Sequence, residues 1–263
     1  MTSSFDGSWL KLGRAKQHID DLEAAIIAFH QTDPYHVIAE DDPQTGMRVA
    51  KVGSEPDPIP HAVPLILGDA IHAIRSSLDH FAFAANANPP DLTRVTFPIW
   101  SRDDIPTPEK FKSVAQGQMP TASKQLLEAV CALQPYRGGN GEYLWLINRL
   151  DVIDKHRLLV TIGYTYKALT FDGAAAIRGK AEWTKNLPAM LISIRPATPY
   201  PLEEGTELFS AAPDLFEQHK DLQFTFEIAF GEPKILVGES VVPTLRGLLD
   251  EVDGLLKRLI PLV

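Results

Sequence analysis

The 263-residue chain contains a single cysteine, Cys131. One cysteine can form neither an intrachain disulfide nor a zinc site built from cysteine pairs, so neither device stabilises this fold. The sequence also lacks a Walker motif, an HExxH motif and a Glu-x-x-His motif. It therefore carries none of these common signatures of phosphate-binding loops and helix-based metal centres.

Long apolar runs are also missing. The longest one, AVPLILGDAIHAI, is interrupted by Asp69 and His72, whereas a membrane-spanning helix needs about 20 consecutive apolar residues. The opening residues, MTSSFDGSWLKLG, show no apolar core of a secretory signal. We therefore expect a soluble, cytoplasmic protein that does not interact with membranes.

Positively charged residues are fewer than negatively charged ones. Lys and Arg total 25 against 34 Asp and Glu, which gives a net charge of -9. Because proteins bind nucleic acid non-specifically through cationic contacts to phosphate, this balance argues against a broad nucleic-acid surface. A local basic cleft remains compatible with the sequence.

Several segments carry apolar residues at helical spacing. We predict helices at residues 8–30, 61–87, 108–116, 121–134, 142–157 and 241–260. Ser8 and Thr121 are the expected N-terminal caps of the first and fourth of these helices.

From residue 158 onward the chain becomes rich in β-branched and aromatic residues, which favour strands. We predict strands at 158–171, 189–196 and 222–230, and an earlier hairpin at 35–53 around DPQTG. Helices that precede strands indicate an α+β fold. The expected domains are a helical bundle with the hairpin at 1–157, and an antiparallel sheet closed by the last helix at 158–263.

The segment GDAIHAIRSSLDHFAFAAN, residues 68–86, contains no Lys, Glu or Gln. A helix turns about 100° per residue, so its polar residues fall within an arc of about 140° opposite an apolar face. These polar residues are Asp69, His72, Arg75, Ser76, Asp79 and His80. Short polar groups of this kind typically hold one another through charge-assisted hydrogen bonds. They therefore predict either a structural network or a polar pocket.

The segment DVIDKHR ends the helix at 142–157. His156 lies at its C-terminal end, where the helix dipole favours a positive charge. If this helix packs along the preceding polar helix, we expect His156 to approach His72 or His80.

The run from Arg75 to His80, RSSLDH, resembles the Arg-x4-His motif of the HEPN superfamily of helical proteins, many of which cleave RNA without a metal. The resemblance implies that Arg75 stabilises a phosphate and that His80 acts on the ribose 2'-hydroxyl. Further stretches of the first 160 residues, including FPIW, LQPY and LDVIDKHRLL, are similar to a group of uncharacterised bacterial proteins.

Three functions follow as hypotheses. The first is a metal-independent hydrolase that cleaves phosphodiesters, with Arg75, His80 and His156 as working groups oriented by Asp79 and His72. It needs no cofactor and takes RNA or a small molecule as substrate. The second is a metal-dependent hydrolase or oxygenase, in which His72, Asp79, His80 and His156 bind a divalent ion. The third is a non-enzymatic binding module whose polar helix is a structural network.

The last helix carries a leucine-rich stripe that needs a partner. The stripe comprises Leu245, Leu248, Leu249, Val252, Leu255, Leu256 and Leu259. Packing on the predicted sheet is the expected role of such a stripe, and a homodimer contact is the alternative.

Overall fold

The computed structural model describes residues 4–34, 36–54, 57–157, 162–171, 174–177, 192–194, 202–218, 223–231 and 235–263. The predicted strand residues 158–161, 189–191, 195–196 and 222 lie outside these ranges. Helices and antiparallel strands make up the described secondary structure, so the α+β prediction is confirmed. None of the described helices combines the length and the apolar character that crossing a bilayer requires.

In chain order, the helices are α1 (Asp6–His30), α2 (Ala62–Ala84), α3 (Pro108–Gln118), α4 (Lys124–Leu133), α5 (Glu142–Arg157), α6 (Pro213–Gln218) and α7 (Val241–Leu259). The strands are β1 (Val37–Asp41), β2 (Arg48–Val52), β3 (Ile162–Phe171), β4 (Ala174–Ile177), β5 (Ile192–Ile194), β6 (Glu207–Ala211) and β7 (Gln223–Phe230).

The chain forms two compact units. The helical unit comprises Met1–Ala25, His61–Val160 and Val242–Val263, and the sheet unit comprises Ile26–Pro60 and Thr161–Val241. This division differs from the predicted domains 1–157 and 158–263. The early hairpin belongs with the later strands because it pairs with them, and the last helix belongs with the other helices.

Local side-chain hydrogen bonds fix where two helices begin. The Thr107 hydroxyl accepts from the Lys110 amide at 3.3 Å to start α3, and the Ser123 hydroxyl accepts from the Leu126 amide at 3.0 Å to start α4. The prediction of Thr121 as the cap of α4 was wrong, because the Thr121 amide donates to Asn86 Oδ1 at 3.0 Å. Ser8 is not a cap either, since α1 already begins at Asp6 and buries Ser8 in its first turns.

The apolar face of α2 forms the centre of the helical unit, as its periodicity predicts. The buried members are Leu67, Ala70, Ile71, Ile74, Leu78, Phe81 and Ala82. The Phe81 ring stacks on Phe5 at 5.7 Å and lies 6.2 Å from Phe97. The polar side of α2 packs against α5, and this contact positions the candidate site.

All residues of the α7 stripe except Leu249 are buried. Leu245, Val252, Leu255 and Leu256 are fully enclosed, so they are not available as a dimer face. The expectation that α7 closes the sheet domain was wrong, because residues from 242 onward belong to the helical unit. Periodicity shows that such a stripe must be covered but does not show what covers it.

The sheet unit confirms the predicted hairpin. β1 and β2 pair antiparallel from Val37 opposite Val52 to Asp41 opposite Arg48. The hairpin extends into a four-stranded sheet of order β1-β2-β6-β5, and a second sheet has the order β4-β3-β7. In the hairpin turn, the Asp42 carboxylate accepts from the Thr45 hydroxyl and the Gln44 amide, which lowers the pKa of Asp42.

We expect Leu78→Ala to lower the free energy of unfolding by about 2–5 kcal/mol, because it leaves a cavity in a closed core. Leu65→Ala, on the same helix, should cost less than about 0.5 kcal/mol because Leu65 is 56% exposed. Urea denaturation of the two variants makes the comparison. Equal losses would contradict this description of the α2 core.

Candidate functional site

The polar face of α2 meets α5 through two adjacent groups of side chains. The first, called here the Arg75 cluster, consists of Arg75, Asp79, Asn148 and the backbone of Phe97. The second, called here the His72 dyad, consists of His72 and Asp151, with Ser76 and Lys155 bonded to it. All of these residues belong to the helical unit.

In the Arg75 cluster, each guanidinium nitrogen has a partner inside the protein. Nε donates to Asn148 Oδ1 at 3.1 Å, Nη1 to Asp79 Oδ1 at 2.7 Å, and Nη2 to the Phe97 carbonyl at 3.3 Å. Asp79 Oδ1 also accepts from the Phe97 amide at 2.9 Å. The cluster therefore ties α2 to α5 and to the loop that contains Phe97.

Burial determines what Arg75 can do chemically. Arg75 is only 9% exposed, and a buried charge must be paired and hydrogen-bonded to be tolerated. Its partners already meet that requirement. For Arg75 to bind a phosphate, as the HEPN resemblance implies, the ligand would have to reach its two remaining N–H donors, although only 10% of the side chain is exposed.

The His72 dyad combines an accessible ring with a buried carboxylate. His72 Nδ1 lies 2.9 Å from Asp151 Oδ1, and the His72 side chain is 53% exposed whereas that of Asp151 is 4% exposed. The second carboxylate oxygen, Oδ2, accepts from the Lys155 ammonium at 2.5 Å. Asp151 thus reaches His72 from the neighbouring helix while it remains shielded from solvent.

The partners of His72 fix which ring nitrogen carries the proton. A carboxylate only accepts hydrogen bonds, so Nδ1 is the protonated nitrogen beside Asp151. In the neutral ring, Nε2 then has a free lone pair, and it lies 3.3 Å from Ser76 Oγ. This arrangement gives His72 the tautomer of a general base that faces a hydroxyl group.

A further carboxylate, Asp154, lies next to the dyad. Its carboxyl group lies so close to Gly68 that a Cβ at residue 68 would come within 2.6 Å of the carboxyl carbon. Partial burial, followed by the negative charges of Asp151 and Asp69, raises the pKa of Asp154. His72 and Lys155 oppose this shift without cancelling it.

The three histidines of the predicted catalytic set are not joined to one another. His80 is exposed and lies against α1, where a Cβ at Gly7 would come within 2.8 Å of His80 Nδ1. His156 is exposed and forms no hydrogen bond or ion pair with any residue that the structure describes. His72 meets Asp151 instead of His156, and Asp79 meets Arg75.

The metal hypothesis finds no support in this geometry. Among the described residues, no group of three or more His, Cys, Asp or Glu side chains is arranged to hold a metal ion. Of the four expected ligands, Asp79 accepts from Arg75 and His72 pairs with Asp151. Neither His80 nor His156 joins them in a common set.

Sequence reasoning singled out α2 and α5, which pack together, but overlooked Asn148 and Asp151 as partners. A signal was available, since Asn148, Asp151 and Lys155 recur at spacings of three and four in α5. The same spacing separates His72, Arg75 and Asp79 on α2. Residues at these spacings share one helix face, so two matching polar faces predict a polar contact between the helices.

Replacement of Arg75 should act mainly on stability. We expect Arg75→Met to lower the free energy of unfolding by about 2–4 kcal/mol, because Asp79 and Asn148 lose a buried partner. Arg14→Met is the matched control, since Arg14 is exposed and bonds Gln17 on its own helix. Urea denaturation of both variants is the measurement, and a loss for Arg75→Met as small as that for Arg14→Met would contradict the structural role.

The raised pKa of Asp154 predicts a pH-dependent stability. Ionisation of Asp154 is less favourable in the folded protein than in the unfolded chain. The contribution of its protonated carboxyl group to folding stability is therefore favourable at low pH and is lost as pH rises through the folded pKa. We therefore expect Asp154→Asn to raise stability at neutral pH by less than about 1 kcal/mol, since the group is largely solvated. The gain should disappear at acidic pH.

Thermal unfolding of Asp154→Asn between acidic and neutral pH measures this effect. Asp21→Asn, at an exposed position of α1, is the control and should show no comparable gain. A loss of stability at neutral pH, or a gain that persists in acid, would be incompatible with charge repulsion at Asp154.

Comparison with known proteins adds no relative to these observations. The chain matches no protein-family model, no curated protein and no solved structure.

Proposed function

We propose that this protein is a hydrolase of uncharged carboxylic esters, with His72 as its general base and Ser76 as its nucleophile. One observation carries the proposal. An exposed imidazole has one nitrogen bonded to a buried carboxylate and the other facing a serine hydroxyl. This order of carboxylate, imidazole and hydroxyl is how serine nucleophiles are activated on unrelated folds.

The proton balance of the reaction follows from the two hydrogen bonds of the His72 ring. Ser76 Oγ bonds to the ester carbonyl carbon while its proton passes to His72 Nε2. The ester C–O bond then breaks, and the proton on Nε2 passes to the departing alkoxide. Water then hydrolyses the bond between the acyl group and Ser76, and its proton also passes through His72 Nε2. Asp151 stabilises the imidazolium that forms transiently in both steps.

The charges around His72 favour an uncharged substrate. Asp154 interacts electrostatically with Asp69 and with Asp151 of the dyad, and Lys155 is bonded to the Asp151 carboxylate. This excess of negative charge opposes a phosphodiester. Phosphodiester cleavage by Arg75 and His80 stays a prediction of the HEPN resemblance, but the enclosure of Arg75 supports it less well.

A second candidate function is a binding module without catalysis, in which the polar face of α2 has a structural role. The Arg75 cluster favours it, because Arg75 is buried and each of its guanidinium nitrogens is bonded internally. The His72 dyad favours catalysis instead, because its acceptor nitrogen faces outward. Reactivity at Ser76 therefore separates the two functions.

Covalent labelling tests the proposal directly. A small alkyl fluorophosphonate should react with Ser76, because displacement of fluoride needs the same activated hydroxyl. Ser77→Ala is a matched control, since Ser77 is the neighbouring residue but is buried and donates to the Ile74 carbonyl. Mass spectrometry of the intact protein and of its peptides locates the label.

We expect labelling and p-nitrophenyl acetate hydrolysis to be lost in Ser76→Ala and reduced roughly 100-fold or more in His72→Ala. Ser77→Ala, His80→Ala and His156→Ala should retain both, with or without a chelator. Unlabelled wild-type Ser76 would overturn the proposal. RNA cleavage that His80→Ala abolishes would instead support the HEPN mechanism.

A further inference from the structure

A groove runs between α1 and α7 in the helical unit, on residues that the His72 site does not use. Its volume is about 520 Å³, within the range of about 300–1,000 Å³ that is usual for small-molecule sites. Trp9, Leu12 and Leu249 supply its apolar surface, and Lys16 and Asp250 supply charges.

Charged side chains connect the two helices that form the groove. Arg246 of α7 donates to Asp20 Oδ1 at 3.0 Å and to Glu23 Oε2 at 2.6 Å, both on α1.

The groove carries one uncompensated charge of each sign, on opposite sides. Arg246 is engaged by Asp20 and Glu23, and Asp253 accepts from Lys257 at 2.5 Å. By contrast, Lys16 on α1 and Asp250 on α7 form no hydrogen bond or ion pair within the described part of the chain. A ligand with an ammonium and a carboxylate would meet both of them.

Gly13 is a lining residue of the groove that has no side chain. It lies inside α1, where glycine costs about 0.5–1 kcal/mol relative to alanine. A Cβ at Gly13 would meet no atom within 4 Å, so helix packing does not require glycine there. Its missing side chain leaves space in the groove itself.

We propose that this groove binds a small zwitterion with an apolar body, of the size of an apolar dipeptide. The ligand's ammonium pairs with Asp250, its carboxylate pairs with Lys16, and its apolar part covers Trp9 and Leu249. Charge complementarity fixes its orientation, and the apolar surface supplies the affinity. The site is independent of the proposed hydrolase activity.

Isothermal titration calorimetry with L-leucyl-L-leucine tests this proposal. Its N-acetyl derivative lacks the ammonium and its C-terminal amide lacks the carboxylate, so both should bind at least tenfold more weakly. Lys16→Ala and Asp250→Asn should weaken binding of the parent dipeptide to a similar extent.

Gly13→Leu and Gly247→Leu form a matched pair. Both glycines lie inside helices with no atom within 4 Å of an added Cβ, so both variants should fold and be at least as stable as the wild type. Only Gly13 lines the groove, so only Gly13→Leu should abolish binding. Absence of binding by the wild-type protein at millimolar dipeptide, equal binding by Gly13→Leu, or equal binding of the blocked dipeptides would overturn the proposal.

Discussion

The carboxylate of Asp151 is the group on which the arrangement of the His72 dyad, at the contact between α2 and α5, depends. It is almost completely shielded from solvent, and a buried carboxylate without partners would cost several kcal/mol. His72 from α2 and Lys155 from its own helix supply those partners. The enclosed position of Asp151 restricts the movement of its carboxylate. The carboxylate therefore holds the His72 ring in one orientation.

Burial divides the polar face of α2 into two parts with different chemical possibilities. Buried Arg75 bonds to partly exposed Asp79, to Asn148 and to the Phe97 backbone. These bonds connect α2 to its neighbours, so they contribute specificity to the packing of the helices. His72 lies one turn away on the same helix but keeps an accessible acceptor nitrogen, which is what a reactive base requires.

The periodicity of α2 was enough to predict its buried face, because 3.6 residues per turn fix which side chains share a side. The same information could not identify Asp151 as the partner of His72. That choice depends on how far α5 is shifted along α2, which the packing of apolar side chains sets. For the same reason, the leucine-rich stripe predicts that one face of α7 is covered. Only tertiary packing places α7 in the helical unit.

The hairpin, by contrast, was predictable because its turn depends on residues that are close in sequence. Its turn is local, and the bonds that Asp42 accepts from Gln44 and Thr45 are encoded within four residues. Such a turn favours pairing of the two strands that it joins. Which later strand then adds to β2 depends on residues more than a hundred positions away, and β6 takes that place.

The spacing of residues along a helix also explains why Arg75 and His80 have different surroundings in this structure. Residues five apart differ by about 140° around the helix axis, so Arg75 faces α5 while His80 lies against Gly7 of α1. Residues four apart differ by only about 40°, which places Ser76 beside His72. In this helix, the histidine that lies beside a serine, His72, is the one that contacts the buried carboxylate of Asp151 on α5.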